Sequence, residues 1–238
     1  MYNVALFGKK YEDTIITTNS MLEGETNSCN FIQKKLGGVY NFLDNKSKNI
    51  TYCPITSGVK KAYIINNKEK SKRTSFVFDK NENDLLDSDI ISKINVADWL
   101  HMCYIDDINN YNFINKINIP ISIDFCTAKP RKKYLDIMNK SRFVFDSRER
   151  KNLYDDIEIS TPIIFHDEYG LEICVRNKVV YSEKNNPISN LEVNGAGDMF
   201  AAIFIENNFY HSANQSAKTA MLETTKYLIN RNNNEQEV

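Results

Sequence analysis

The sequence predicts an α/β protein whose central, mostly parallel sheet is flanked by helices. From about residue 84 onward, short apolar segments typical of strands alternate with segments of about a dozen residues that are typical of helices. Connections of that length carry the chain back to the same edge of a sheet, so consecutive strands are expected to run parallel. Residues 50–79 contain only short β-rich segments, and they predict a small β-lid.

The part of the chain before residue 84 is predicted to form one buried strand, one helix and the lid strands. Residues 2–7 are apolar and end at Gly8, which indicates the strand, and residues 31–42 around Gly37-Gly38 indicate the helix. Three short strands, expected to be antiparallel neighbours, follow at 50–55, 61–65 and 75–78, with a turn at 66–68.

Later segments continue the alternation. Helices are predicted at 84–93, 108–118, 132–139 and 148–154, and strands at 99–104, 119–125, 143–145 and 162–165. A hairpin at 171–175 and 178–181 precedes a glycine-rich turn and two helices at about 197–207 and 212–230. These elements fit one domain over residues 1–238, with a β-lid from about 9–17 and 50–79 inserted in it.

Composition and charge favour an ordinary globular protein, which we expect in the cytoplasm. The 238 residues are 42% hydrophobic and 26% charged with a formal net charge of −1, so no overall field recruits nucleic acid or anionic membrane. No apolar run approaches the ~20 residues of a membrane span, and residues 1–8 lack the basic start of a secretion signal. The five Cys form no CxxC pair and the three His lack metal-ligand spacing, which argues against a disulfide framework or a structural zinc site.

The most specific chemical signal is the sequence EVNGAGDMF at residues 192–200, which opens an alanine-rich helix. Gly195 and Gly197 permit backbone conformations closed to other residues and leave room for a ligand. The N–H groups at a helix start carry a partial positive charge, so this turn predicts an anion-binding site. Asp198 would repel a bound phosphate, but beside that site it suits a general base acting on a hydroxyl that attacks a phosphoryl group.

Residues 192–200 resemble the signature D-[TS]-x-G-A-G-D-x-F of the ribokinase-like (PfkB) family of sugar and nucleoside kinases. Glu192 and Val193 replace the usual Asp and Thr, and the matching or acceptable positions are Asn194, Gly195, Ala196, Gly197, Asp198 and Phe200. The resemblance implies an ATP-dependent kinase that uses Mg²⁺, with Asp198 as the base. It also implies that Gly195, Ala196 and Gly197 complete the anion hole and that Asn194 lies beside the cofactor.

The resemblance implies a substrate site near the N-terminus. Where the family has a substrate-binding Asp, a Gly-Gly pair and a downstream Asn, this sequence has Asp13, Gly37, Gly38 and Asn41 in the same order. Arg73 stands where family members often carry an Arg-Thr pair in a lid strand. Polar side chains and glycine amides suit the hydroxyls of a sugar, a sugar derivative or a nucleoside, because buried hydroxyls need hydrogen-bond partners.

On the nucleotide side, the resemblance implies roles for residues that follow predicted strands. Glu149 fits the N-x-x-E motif that supports Mg²⁺ and phosphate, and it is the expected metal residue, while Asp146 stands where Asn is usual. A carboxylate also holds Mg²⁺ through water. Asp124 borders the edge where open α/β sheets bind ligands, and Gly170 matches the last glycine of a nucleotide-contacting T-x-G-x-x-G motif.

The predicted lid has an apolar pattern that favours self-association. A lid with one apolar face and no helix over it exposes a patch and an open sheet edge. We therefore expect two lids to pair in a homodimer, through a face formed by Val59, Tyr63, Ile65, Phe76 and Phe78.

The sequence is compatible with three functional hypotheses. The first is an active kinase, and the intact Asp198 with its glycines favours it. The second is a catalytically degenerate kinase fold that binds a ligand or regulates a partner; it is suggested by the departures from the family pattern at Glu192, Val193, Asp146, Phe165 and Asp167. The third, a dinucleotide-binding enzyme, lacks the GxGxxG sequence that should follow the first strand.

Overall fold

The structure is a computed structural model that describes residues 1–22, 24–70, 72–78, 88–189 and 191–234. Over these residues the strands are Tyr2–Thr18 (β1), Phe31–Gly38 (β2), Ile50–Asn67 (β3), Lys72–Phe78 (β4), Trp99–Met102 (β5), Ile121–Asp124 (β6), Phe143–Ser147 (β7), Ile163–Asp167 (β8), Gly170–Val175 (β9) and Lys178–Lys184 (β10). The α-helices are Ser88–Asn95 (α1), Leu135–Lys140 (α2), Ala196–Asn208 (α3) and Ala213–Asn234 (α4). Short 3-10 helices lie at Asn41–Asp44, Ile105–Asp107, Asn112–Lys116, Arg131–Tyr134 and Arg148–Tyr154.

The strands form one sheet in the order β10-β9-β8-β7-β6-β5-β1-β3-β4, and β2 pairs with β1 off this path. Along this order, every pair of neighbours from β8 to β3 is parallel. Strand β2 pairs antiparallel with β1, β4 with β3, β9 with β8 and β10 with β9. The predicted class, a mostly parallel sheet flanked by helices, is confirmed. The parallel strands end at one edge of the sheet, and this edge carries the site described below.

Apolar side chains on both faces hold the sheet between helices. Leu6 of β1 packs into a cluster that includes Phe200 and Phe204 of α3, while its neighbour Phe7 packs into the opposite cluster with Ile137 of α2. Because helices cover both faces of such a sheet, the sequences of its strands are nearly continuous apolar runs. None of the helices in the described part of the chain is long and apolar enough to cross a membrane.

The separate strands expected at 50–55 and 61–65 are wrong, because both belong to the single strand β3. The antiparallel pairing expected between 61–65 and 75–78 is confirmed, because β3 pairs with β4 in this way. Strand β3 runs parallel to β1, and both continue past a register shift between Gly8 and Lys10. The first strand therefore does not end at Gly8. Because β1 and β3 pair along their full length, their backbone N–H and C=O groups are hydrogen-bonded on both sides of the glycine in each strand, and neither strand has to end there.

The helix expected at 31–42 is also wrong. Residues Phe31–Gly38 form β2, which runs antiparallel to β1 and places Lys35 opposite Asp13. Only Asn41–Asp44 is helical, as a 3-10 turn. A short helix with two glycines is marginal on its own, and the open edge of β1 offers the segment a full set of backbone partners.

Most of the later elements are confirmed, including the strands, the hairpin of β9 and β10 and the two final helices. The helix expected at 108–118 is reduced to the 3-10 turn Asn112–Lys116. Of the helix expected at 84–93, residues 84–87 lie outside the described residues, and α1 begins at Ser88.

The distal halves of β1 and β3 form a four-stranded lid with β2 and β4, in the order β2-β1-β3-β4. We define the lid as residues 10–18, 31–38, 59–67 and 72–78. Residues 50–56 of the expected lid instead pair with the first half of β1, which lies in the central sheet beside β5. Residue 79 lies outside the described residues. The lid's inner face carries Asp13, Lys35 and Arg73, whereas Tyr63 and Phe76 share its outer face.

Candidate active site

The glycine turn at 195–197 forms the start of helix α3. Gly195 precedes the helix with φ 78°, in the left-handed region that favours glycine, and its carbonyl oxygen accepts the N–H of Met199 at 3.0 Å. The first N–H groups of a helix have no partner within it, so they are available to an anion. Asp198 lies in this first turn, as the sequence predicts.

The carboxylate of Asp198 is buried and held by two neutral donors. Asn41 Nδ2 donates to Oδ2 at 2.8 Å, and the hydroxyl of Tyr104 donates to Oδ1 at 2.8 Å and to Oδ2 at 2.7 Å. Burial raises the pKa of Asp198 above its ordinary value, while these hydrogen bonds and the charges of Arg73 and Lys35 act in the opposite direction. A buried carboxylate with a raised pKa is the more basic one, which suits proton abstraction.

A second buried carboxylate, Asp13, lies on the inner face of the lid. Burial raises the pKa of Asp13 to about 6, the positive charges of Lys35 and Arg73 lower it, and the charge of Asp198 raises it. Asp13 approaches the backbone of Gly37 so closely that a Cβ there would overlap its Oδ2. The lid therefore needs glycine at position 37 to seat this carboxylate.

Gly38 makes the turn that brings Asn41 to the site. Its φ is 65°, and a Cβ at this position would overlap the carbonyl oxygen of Lys9. The chain then enters the 3-10 turn whose buried Asn41 contacts Asp198. The structure thus brings together Asp13, the two glycines, Asn41 and the start of α3.

The segment before the glycine turn is tied to the lid and to helix α4. Arg73 Nη1 donates to Asn194 Oδ1 at 2.6 Å, which links the lid strand β4 to the motif. The carboxylate of Glu192 accepts from Asn66 Nδ2 of β3 at 2.9 Å and pairs with Arg231 Nη2 of α4 at 2.7 Å. The Glu at this position thus joins the lid to α4 through one side chain.

A cleft with a cavity volume of about 790 Å³ opens beside the glycine turn. Its lining includes residues 195–198 and Tyr104. Its lining includes cationic side chains, namely Lys70, Lys72, Arg73 and Arg150. It also includes apolar side chains, namely Ile188, Leu191, Val193, Met221 and Leu228. A helix start, cations and apolar side chains in one cleft have the polarity of a nucleotide site.

Asp146 lies on the cleft, but its carboxylate is fully engaged by neighbouring side chains. Oδ2 accepts from Arg131 Nε at 2.9 Å and from the Tyr154 hydroxyl at 2.8 Å, and Oδ1 accepts from Arg150 Nε at 2.6 Å. The backbone N–H of Ser147 also donates to Oδ1 at 2.8 Å. The guanidinium groups of Arg131 and Arg150 therefore offset the negative charge of Asp146, which stands where the N-x-x-E motif has a neutral Asn.

Two other carboxylates on the cleft differ in burial. Burial raises the pKa of Asp124 well above its usual range, and the negative charges of Asp198 and Asp146 raise it further. Glu149 lies at the rim, with its side chain 70% exposed and its Oε1 3.9 Å from Lys72 Nζ. Among the residues that the structure describes, no group of three or more His, Cys, Asp or Glu side chains could by itself hold a metal ion.

Solved structures supply the comparison that decides the fold. A ribokinase from Cryptococcus neoformans var. grubii serotype A in complex with ADP superposes with a TM-score of 0.68 at 10% identity, covering 94% of this chain and 93% of that one. The chain has the ribokinase-like fold. An Arabidopsis thaliana ribokinase complexed with ribose and ATP gives a TM-score of 0.64 at 10% identity, with 94% and 91% of the two chains covered.

A nucleoside kinase from Methanocaldococcus jannaschii, described as an archaeal member of the ribokinase family, has the same fold. Its TM-score is 0.60 at 15% identity, and the superposition covers 94% of this chain and 90% of that chain. No family model and no curated protein sequence matches this chain.

The departures at 165–170 have structural explanations within this ribokinase-like fold. Phe165 is buried and packs edge-to-face on Tyr154, with ring centroids 5.2 Å apart. Asp167 pairs with Arg148 Nη1 at 3.2 Å. Gly170 begins β9. Of the three positions, Asp167 and Gly170 line the cleft.

Sequence reasoning missed four residues that the ribokinase-like fold brings to the site. They are Tyr104, which contacts Asp198; Arg150, which pairs with Asp146; His166, which lines the cleft and stacks on Phe200 at 4.3 Å; and Arg231, which pairs with Glu192. The sequence offered no reason to place His166 in a site, because the three His lack metal-ligand spacing. Tyr104 and His166 stand at the carboxyl ends of β5 and β8, which was the available signal, because parallel strands deliver such residues to one edge.

Proposed function

We propose that this chain is an ATP-dependent phosphotransferase that moves the γ-phosphoryl group to a hydroxyl of a sugar, a sugar derivative or a nucleoside. One observation carries the proposal: the buried carboxylate of Asp198 stands in the first turn of α3, between the nucleotide-like cleft and the polar inner face of the lid. A general base is useful only when a phosphoryl group and a hydroxyl both reach it, and this position serves both.

The residues present fit a nucleoside triphosphate. The N–H groups of Gly195, Gly197 and Asp198 would hold phosphate oxygens, whereas the N–H of Ala196 donates to the carbonyl oxygen of Val193 at 3.1 Å. A Cβ at Gly197 would only touch His166 at 3.6 Å, so the backbone of the turn is accessible.

The apolar side chains of the cleft lining would take the base, and Gly170 lines the same cleft. Asn194 stands next to Gly195 and accepts a hydrogen bond from Arg73, which also lines the cleft. Bound ATP would supply the phosphoryl group, with ADP as the leaving group and Mg²⁺ neutralising charge on the phosphates.

The chain offers Mg²⁺ few direct ligands, which fits an ion held mostly by phosphates and water. Glu149 at the rim is exposed and open to such a hydrated ion. Asp146 is already saturated by Arg131 and Arg150, so we assign it to positioning these cations.

On the acceptor side, Asp13, Arg73 and the Gly37-Gly38 backbone would bind hydroxyl groups of the acceptor. Asn41 orients Asp198, and the acceptor hydroxyl would replace the Tyr104 hydroxyl on this carboxylate, which takes the acceptor's proton as the phosphoryl bond forms. The lid excludes water from this step, because bulk water would otherwise compete as an acceptor.

The alternative of a degenerate kinase fold is less well supported. The departures that suggested it are compensated by specific partners: Glu192 by Asn66 and Arg231, and Asp146 by Arg131 and Arg150. A fold that had lost catalysis would have no need to keep Asp198 intact.

A panel of acceptors tests the proposal. The purified chain is incubated with ATP and Mg²⁺ and with sugars, sugar derivatives and nucleosides in turn, and phosphorylated product is measured directly. We expect at least one acceptor to be phosphorylated. Binding of ATP and of acceptors without any product would instead support the degenerate kinase.

A further inference from the structure

The hydroxyl of Tyr104 occupies the position at which an acceptor hydroxyl must meet the base. It donates to both oxygens of Asp198, at 2.8 and 2.7 Å, which is the contact that a hydroxyl substrate makes before it loses its proton. Tyr104 also lines the same cleft as Gly195, Ala196 and Gly197, the turn assigned to the transferred phosphoryl group.

The backbone of Tyr104 is strained in a way that fixes this contact. Its φ is 57° and its ψ is 61°, which is the left-handed region that a bulky aromatic residue rarely adopts. Such strain persists only where the surrounding structure imposes it. Tyr104 follows Cys103 after the end of β5 at Met102, and in this conformation its hydroxyl reaches Asp198 in the first turn of α3.

The inner face of the lid holds the ring in place. Tyr104 packs against the cluster of Tyr11, Ile15, Ala62 and Ile64, and its ring meets that of Tyr11 edge-to-face at 6.0 Å. The phenol ring therefore packs against the lid, and its hydroxyl oxygen contacts Asp198 beside the cleft. Positive charge lies nearby, because both Arg73 and Lys35 act on Asp198.

We propose that Tyr104 is an internal phosphoryl acceptor, so that in the absence of a small-molecule acceptor the chain phosphorylates itself at this hydroxyl. This inference rests on the proposed function, since it uses the same base and the same anion hole. The nucleophile is already in hydrogen-bond contact with its base, and holding reactants in contact removes much of the entropic cost of the reaction.

The step balances as a simple phosphoryl transfer. A bond forms between Tyr104 Oη and the γ-phosphorus of a nucleoside triphosphate, and the bond from that phosphorus to the bridging oxygen of the β-phosphate breaks. The phenolic proton passes to the carboxylate of Asp198 and from there to solvent, and the nucleoside diphosphate leaves. Arg73 and Lys35 would offset the charge of the new phosphate.

The experiment is an acceptor-free incubation of the full chain with ATP and Mg²⁺, followed by intact mass measurement and peptide mapping. We expect the mass of one phosphoryl group to appear and to map to Tyr104. Tyr104→Phe keeps the ring and removes the nucleophile, so it should stay unmodified, and Asp198→Asn should label ~10²-fold more slowly or worse.

Tyr11→Phe is the matched control. Tyr11 is the other tyrosine of the same cluster, but it donates to Asp107 and not to Asp198, so its loss should leave labelling as in the parent. A parent chain that binds ATP yet stays unmodified overturns the inference, as does equal labelling of Tyr104→Phe.

Acceptor turnover separates this inference from the proposed function. If the parent phosphorylates a small acceptor but never Tyr104, the inference fails and the proposed function stands. If neither product forms in the parent or in Tyr104→Phe, both fail.

Discussion

Asn41 Nδ2 donates a hydrogen bond to Asp198 Oδ2 at 2.8 Å, across 157 positions of the sequence. The contact joins the 3-10 turn that follows lid strand β2 to the first turn of α3. Because the amide can only donate at this nitrogen, it stabilises the ionised carboxylate and fixes its orientation. The turn that follows lid strand β2 and the candidate base are thereby held together.

The first prediction concerns this base. Asp198→Asn keeps the size of the side chain and removes its basicity, so acceptor phosphorylation should fall by ~10²–10⁴-fold. ATP affinity should be unchanged or higher, because a negative charge beside the phosphates is removed. The measurement is the rate of phosphorylated product, with ATP binding measured separately.

Asp136→Asn is the control, since Asp136 is an exposed carboxylate in the first turn of helix α2, away from the cleft. It should behave as the parent. Parent-like phosphorylation by Asp198→Asn would reduce Asp198 to a helix-start residue.

The second prediction concerns the pH dependence set by Asp13. Burial raises the pKa of Asp13 to about 6, so the carboxylate that would accept acceptor hydroxyls becomes protonated below that pH. The KM for the acceptor should therefore rise as the pH falls through about 6. In Asp13→Asn this dependence should be absent, and a profile identical to the parent would remove Asp13 from the acceptor site.

The same pKa shift has a consequence for stability. A carboxyl whose folded pKa lies above its ordinary value stabilises the fold in its protonated form, and this contribution is lost as the pH rises through about 6. The free energy of unfolding of Asp13→Asn relative to the parent should thus be higher at neutral pH than at pH ~4, below which both side chains are neutral. Denaturant titrations at the two pH values measure it.

The third prediction concerns Mg²⁺. Glu149 is exposed at the rim, so Glu149→Gln should weaken the Mg²⁺ dependence of turnover and leave the fold intact. Asp146→Asn should instead lower the free energy of unfolding, because Arg131 and Arg150 lose their buried partner. Glu158→Gln, exposed and outside the cleft lining, is the neutral control. An unchanged Mg²⁺ titration for Glu149→Gln would contradict the metal assignment.

The fourth prediction concerns association through the lid. Phe76 and Phe78 are 56% and 61% exposed, and they share the outer face with Val59 and Tyr63. We expect this apolar face to pair with a second copy, so light scattering should report a dimer at micromolar concentration. Phe76→Lys should shift the chain to monomer. Val96→Lys, at an apolar residue that is 81% exposed outside the lid, should not. A parent that is monomeric at tens of micromolar would refute the pairing.

The fifth prediction concerns Arg231. Its guanidinium pairs with Glu192 and donates to the carbonyl oxygen of Asn194 at 2.8 Å, which anchors the segment before the glycine turn. Arg231→Ala leaves Glu192 buried without its cation and should cost about 3–5 kcal/mol of unfolding free energy. The kcat should fall more than ATP affinity, and millimolar guanidinium should restore part of it.

Lys226→Ala on the same helix is the comparison. Lys226 pairs with Glu223 at the surface, and such exposed pairs contribute about 0–1 kcal/mol. If Arg231→Ala is as mild as Lys226→Ala, the anchoring role of Arg231 is disproved.

Local pattern was sufficient for the parts of the fold whose partners are near in sequence. The glycine turn before α3, the β9–β10 hairpin and the buried strands β5 to β8 were predicted because their signals lie within a few residues. Segment 31–38 was misassigned because its apolar and lysine-rich pattern is compatible with a helix until the open edge of β1 is available to pair with it. The single strand β3 was read as two for the same reason, since its continuity depends on β1.

The sequence by itself determined the chemistry of the central turn, because the conformational freedom of Gly195 and the helix start at Asp198 are local properties. The tertiary structure alone decided which groups surround that turn. Three sets of contacts depend on where separate elements meet. They are the hydrogen bonds of Tyr104 to Asp198, the ion pairs of Arg131 and Arg150 with Asp146, and the ion pair of Arg231 with Glu192. Side-chain hydrogen bonds and ion pairs act only over a few ångströms, so their partners are set by packing and not by distance along the chain.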